Sequence, residues 1–357
     1  MIIEAFSLDA ELTEAEYLQR ELGIFWREVN ESKLIHQVHE NYQSGNRTLI
    51  IVSDASKHLP VITRLPSNSV VIILLSDEGT NRDALALVEC QAVCFCFRNY
   101  SVDLLPTADF LRIAVLLFKD AFSFGALGTK GAFISHWARS LFLGYKRRSQ
   151  IRKWSTIRDK FSYIPLGYTK KFALSLLSYL EKDSFEGSLY ELGKVKPKLE
   201  ISNSVSFSGS LGSWQRRVGL QRLAREKSSR LKISNGRWLG HQENVDSTDF
   251  EYCKELLNNA YVFCPPGYLS NESYRVEEAL ICGSYPLFLN AAITQGCREG
   301  TIALREISYW SYDSMFSSIS GNNYICNESD FNEILSKIRK EYVEISMHLR
   351  SLLGPHR

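Results

Sequence analysis

The chain of 357 residues is longer than one ordinary hydrophobic core organises, and usual domain sizes point to two lobes of roughly 150 to 200 residues each. Hydrophobic residues make up 45% and charged residues 23%, a balance that excludes disordered and fibrous classes. The net charge of 42 − 40 = +2 removes any general electrostatic reason to expect nucleic acid as a partner.

Met1 to Glu4 lack a basic n-region and a long apolar stretch, and no run approaches about 20 uninterrupted apolar residues. The expectation is a cytoplasmic protein with no transmembrane segment. In chain order, residues 12–22, 34–42 and 82–89 carry apolar positions three or four apart and read as helices. Residues 48–52, 69–75 and 92–97 are short Val-, Ile- and Phe-rich runs that read as buried strands. Strands alternating with helices predict a parallel sheet covered on both faces. Eight cysteines are scattered, with Cys94 and Cys96 inside an apolar run, and neither a disulfide framework nor a zinc spacing is evident.

Residues 108–154 mix helical spacing with Gly125, Gly128, Gly131 and Gly144 and give no firm reading. The basic stretch Lys146, Arg147, Arg148, Arg152 and Lys153 is either a solvated helix face or a patch for peripheral contact with an anionic membrane or glycan. Residues 161–168 form a short apolar element ended by Pro165 and Gly167, beside which the lobe boundary is expected. The α/β rhythm then returns, with strands at 204–208, 261–264 and 285–289 and helices at 215–227 and 272–282. The division is an N-terminal Rossmann-like domain over 1–168, a second over 169–330, and a terminal helix over 331–357 whose spacing predicts that one face packs on a core.

Residues 263–288 carry the densest chemical signal. A strand ends in a Pro-Gly turn, a polar loop follows through Gly267, and Ser270 or Asn271 is placed to cap a helix whose free N–H groups attract an anion such as a diphosphate. Glu272, Ser273 and Tyr274 enter that helix. Arg275 and Glu278, three apart, share a face and would offer a cation to phosphate and a carboxylate to ribose hydroxyls. The plainer alternative is a surface i,i+3 ion pair on a helix stopped by Gly283.

The order Phe263, Cys264, Pro265, Gly267, Ser273, Arg275, Glu278, Ala279, Gly283 and Pro286 resembles the exostosin-like glycosyltransferases. Upstream, Phe207, Ser208, Gly209 and Ser210 lead to Arg216 and Arg217 and look like that family's strand, small-residue loop and arginine. A Ser/Gly loop lets backbone approach a ligand, and either arginine can neutralise a leaving diphosphate; a flexible turn before an exposed helix is the structural alternative. In the first lobe, residues 74–79, Arg98 to Tyr100 and residues 164–168 are similar to a spacing found among relatives that include the ribitol xylosyltransferases. Pro266 departs from the pattern, standing where many relatives carry a basic residue.

The resemblance implies two Rossmann-like lobes facing across a cleft (the GT-B arrangement), the nucleotide on the C-terminal lobe and transfer with inversion. It also implies a nucleotide-sugar donor as co-substrate, UDP-sugar favoured, a glycan or polyol-phosphate acceptor, and no metal or other cofactor. Inversion needs a base. Asp77 and Glu78, directly after an expected strand, are either that base or a helix cap and first-turn acid. His241 precedes the donor lobe's main helix and is the histidine most open to a role near the nucleotide. The other class of reading is an inactive glycosyltransferase-fold scaffold; a nicotinamide oxidoreductase is disfavoured because no GxGxxG follows the first strand.

Overall fold

The computed structural model describes residues 2–75, 82–99, 153–182, 184–193, 205–210, 220, 223, 229–234, 247–265, 273–287 and 328–355. Six strands, β1 (Ile3–Ser7), β2 (Ile24–Glu28), β3 (Thr48–Val52), β4 (Val70–Leu74), β5 (Val93–Arg98) and β6 (Phe161–Tyr163), form one parallel sheet in the order β2-β1-β3-β4-β5-β6. Every residue of β3 and β4 is buried. This is what a strand covered on both faces requires, and it explains their unbroken apolar sequences.

The helices α1 (Ala15–Leu22), α2 (Glu31–Gln43), α3 (Ala55–Ile62) and α4 (Arg82–Glu89) follow successive strands. Local chemistry sets their ends. The Asn30 side chain accepts from Lys33 N at 2.9 Å to start α2, and the Asp54 carboxylate accepts from Ser56 N and Lys57 N to start α3. Gly23, at φ +67°, ends α1 in the left-handed conformation and donates to Leu18 O.

Alternation along the strands divides the first lobe's core. Phe6, Ile50, Val52, Ile72 and Leu74 point to the side covered by α2, α3 and α4. Ala5, Leu49, Ile51, Val71 and Ile73 point to the other side, and there the apolar cluster continues into the second lobe. Gly167, at φ +74°, belongs to that junction: a Cβ would lie 2.4 Å from the Tyr17 ring, so only glycine lets Tyr17 pack there.

The second sheet is parallel and runs β10-β9-β7-β8, built from β7 (Val205–Ser210), β8 (Ser229–Ser234), β9 (Tyr261–Phe263) and β10 (Tyr285–Leu287). Read from β8, its order repeats that of the first four strands of the first sheet. Around it lie α5 (Lys170–Tyr179), α6 (Tyr190–Gly193), α7 (Ser247–Asn258) and α8 (Tyr274–Ile281). The expected helix over 215–227 lies outside the described residues apart from Leu220 and Leu223, as does the basic stretch up to Arg152. The molecule is thus α/β with two parallel sheets and helices. No helix among the described residues is long and apolar enough to cross a membrane.

The last helix, α9 (Glu328–Leu353), has 26 residues and a length of about 39 Å, and it straps the two sheets together. Phe331 packs edge-on against Tyr285 of β10 with ring centroids 5.0 Å apart. Towards its other end Ser346 Oγ donates to Leu22 O at 3.0 Å, and Arg47 Nη1 donates to Leu352 O at 2.8 Å. Tyr342, midway, stacks near both Tyr17 and Tyr190.

Tyr190 also donates a hydrogen bond to Glu277 of α8 and lies 2.9 Å, hydroxyl to hydroxyl, from Tyr342. Glu277 is 3% exposed. Burial pushes its carboxyl up to about 8, with the nearby Glu341 and Glu21 adding to the rise and the Tyr190 hydroxyl opposing it. An acid whose folded pKa is raised contributes stability that is full below its ordinary 4.5 and is lost as the pH climbs to about 8. Chemical denaturation followed from pH 5 to 9 should therefore show stability falling by on the order of a few kcal/mol and levelling off above pH 8. Glu277→Gln, which keeps the shape of the protonated carboxyl, should flatten that slope and exceed the parent at pH 8.5; an unchanged slope would remove Glu277 from the explanation.

Candidate functional site

In open parallel sheets ligands lodge beyond the carboxyl ends of the strands, where the chain order reverses and neighbouring loops part. Each sheet here has one such point, between β1 and β3 in the first and between β7 and β9 in the second. The two are filled differently. Beyond β1, Asp9 Oδ2 accepts from Ser53 N at 3.0 Å, from Ser53 Oγ at 2.8 Å and from His58 Nε2 at 2.9 Å, which sews the β1 and β3 loops to α3. Burial alone would raise the Asp9 carboxyl, but the hydrogen bonds from His58 and Ser53 and the charge of His58 outweigh it and hold the group far below the usual carboxylate range. The β1 and β3 loops are thus tied to each other here.

At the second crevice, among the described residues, a glycine stands near the end of β7. This residue, Gly209, has φ +150°, and an added Cβ would fall 2.5 Å from Arg275 Nη2. Across from it, α8 begins. Ser273, extended at φ −149° and ψ 135°, is its N-cap, its Oγ accepting from Arg275 N. This corrects the expectation of Ser270 or Asn271: the extended residue whose hydroxyl reaches a free helical N–H is Ser273.

Arg275 is fixed from two sides. Nη2 donates to Ser208 O at 2.8 Å, and the guanidinium carbon lies 4.9 Å from the centre of the Phe207 ring. Phe207 is buried against Phe263 of β9, so the cation rests on a rigid base. Arg275 Nε is buried without a hydrogen-bond partner among the described residues. A buried, charged donor left unsatisfied costs about 1–3 kcal/mol or more, and an anionic acceptor beside it recovers that cost through a charge-assisted bond. The helix N-terminus points the same electrostatic way.

Glu278 is turned into the protein. It is 5% exposed, with Oε2 accepting from the Tyr252 hydroxyl at 2.6 Å and Oε1 from Thr169 Oγ1 at 3.4 Å. Burial raises its carboxyl, against the pull of the Tyr252 hydrogen bond and the Arg275 charge. The surface ion-pair alternative therefore does not describe this helix, and the carboxylate expected to face ribose is engaged by α7 and by the loop before α5. Tyr274, one residue before Arg275, donates to Glu14 in the first lobe, and Asn99 Nδ2 at the end of β5 donates to the same Glu14 oxygen at 3.2 Å. Carboxyl-edge loops of the first sheet thus meet the helix that borders the second crevice.

Of the residues singled out from sequence, Ser208, Gly209, Ser273, Tyr274 and Arg275 come together here, and Ser210 ends the same strand. Asp77, Glu78, Arg216, Arg217, Gly267, Asn271, Glu272 and His241 lie outside the described residues. Sequence reading missed Glu14, Thr169 and Tyr252. Only Glu14 carried a signal, as an acid in the first turn of the helix expected over 12–22, and that signal points to the helix dipole. Among the described residues no three His, Cys, Asp or Glu side chains group as metal ligands, and the cysteines Cys90, Cys94, Cys96, Cys253, Cys264 and Cys282 are free. No protein-family model matches the chain, and a search of curated proteins finds no match.

Gly209→Ala should push the guanidinium off Ser208 O, with added backbone strain at φ +150°. Titration calorimetry with inorganic pyrophosphate should then read affinity at least roughly tenfold weaker, the equivalent of one charge-assisted hydrogen bond. Equal affinity in the two proteins would mean that Arg275 does not hold the anion.

Proposed function

We propose that the chain is an inverting glycosyltransferase of the exostosin-like kind, moving a sugar from a nucleoside-diphosphate donor, UDP-sugar favoured, to a glycan or polyol-phosphate-containing acceptor. The observation that carries this reading is Arg275: a guanidinium pinned at the carboxyl edge of a parallel sheet, beside a helix N-terminus, with a buried N–H that lacks a partner among the described residues. That arrangement suits a diphosphate, whose two negative groups need more than one donor and whose departure as a leaving group is favoured by fixed positive charge.

The GT-B arrangement belongs to the same reading. Two parallel sheets with the same strand order, and the contact of Tyr274 with Glu14 between their carboxyl-edge loops, support it. The donor would lie on the second lobe, and the acceptor would enter from the first. Asp77 and Glu78 follow β4, whose last carbonyl accepts from Asn99 N at 3.2 Å, and they are the proposed source of the base that deprotonates the acceptor hydroxyl. Arg275 and the α8 dipole would stabilise the departing diphosphate.

A thermal-shift panel of UDP, GDP, CDP and their sugar conjugates tests the reading, because a ligand that binds only the folded state stabilises it by about 2.7 kcal/mol at a hundredfold excess over Kd. UDP and a UDP-sugar should raise the Tm, and Arg275→Ala, folded as judged by circular dichroism, should lose the shift and most turnover. No shift with any nucleotide would favour the scaffold alternative.

A further inference from the structure

Glu14 is the residue before α1 and occupies its N-cap position, where an acid ordinarily accepts from the free N–H groups of its own helix. It makes no such bond. Its side chain is 0% exposed and is turned across the lobe junction, where Oε1 accepts from the phenol of Tyr274 and from the Asn99 amide. The neighbouring backbone is tied to the same junction, since Lys170 N donates to Thr13 O at 2.6 Å and Thr169 reaches Glu278.

Tyr274 and Arg275 are the first two residues of α8, and a helix's first turn has few backbone bonds to hold it. The Ser273 cap at 3.4 Å is a long hydrogen bond. The hydrogen bond that Tyr274 donates to the Glu14 carboxyl, anchored on the first sheet's side, adds a second hold on that turn. We infer that Glu14 is a positioning residue of the anion site: through Tyr274 it fixes the first turn of α8 and so the direction in which Arg275 presents its guanidinium. This rests on the reading of Arg275 as the diphosphate-binding cation, and it makes the first lobe a contributor to donor binding as well as to acceptor entry.

Tyr274→Phe, Glu14→Ala and Glu14→Gln separate the possibilities in the full chain. Hydrogen exchange of the segment 273–281 is measured for each, together with the Kd for UDP. Tyr274→Phe and Glu14→Ala should each speed exchange in the first turn of α8 about tenfold while α2 and α3 stay as in the parent. Each should weaken UDP binding by a similar factor, and the double variant should be no worse than either alone. Glu14→Gln, whose carbonyl still accepts from Tyr274, should restore most of both. Unchanged exchange in Tyr274→Phe overturns the inference, as does faster exchange with undiminished UDP affinity. If the parent chain itself fails to bind UDP, the diphosphate reading falls, and the exchange measurement alone then decides whether Glu14 positions α8.

Discussion

Helix α8 is the constraint around which the molecule is arranged. Its five residues from Tyr274 to Glu278 include four with polar or charged ends, and the helix is packed between two lobes rather than at a surface. Groups of that kind are costly to bury unless each finds a partner. Each partner comes from a different part of the chain: Glu14 from the first lobe for Tyr274, Ser208 from β7 for Arg275, Tyr190 from α6 for Glu277, and Tyr252 from α7 for Glu278. The chain between the sheets and the strap α9 must be placed so that these four contacts form together.

The same constraint separates the two crevices. In the first sheet Ser53 and His58 donate to Asp9 and join the β1 and β3 loops to α3, with His58 Nδ1 buried and without a partner among the described residues. In the second, Gly209 withholds a side chain and Arg275, seated over Phe207, is hydrogen-bonded only through Nη2 among the described residues. Two sheets with the same strand order therefore differ at their crevices: Asp9 and its donors stand at one, and a glycine and a cation at the other.

Much of this was legible in the sequence, for identifiable reasons. Strands β3, β4 and β5 were readable because both faces are covered and few polar residues interrupt them. Strands β1 and β2 were not, because Glu4 and Arg27 pair with each other in solvent at the sheet's edge and break the apolar pattern. The crevice beside Arg275 was readable because its parts, residues 207–210 and 273–275, are short local strings. The task of Glu278 was not. An acid three residues from an arginine on a helix reads as a surface pair, and the residues that claim it, Tyr252 and Thr169, stand 26 and 109 positions away. Glu14, 260 positions from Tyr274, is further still from anything a spacing rule detects.

Arg275 is proposed to hold a diphosphate at the carboxyl edge of β7, and a crystal structure with UDP bound decides this. A phosphate oxygen should lie within hydrogen-bond distance of Arg275 Nε, with the bond to Ser208 O retained and the pyrophosphate over Gly209. A nucleotide bound elsewhere, or one that leaves Nε without an acceptor, would contradict it.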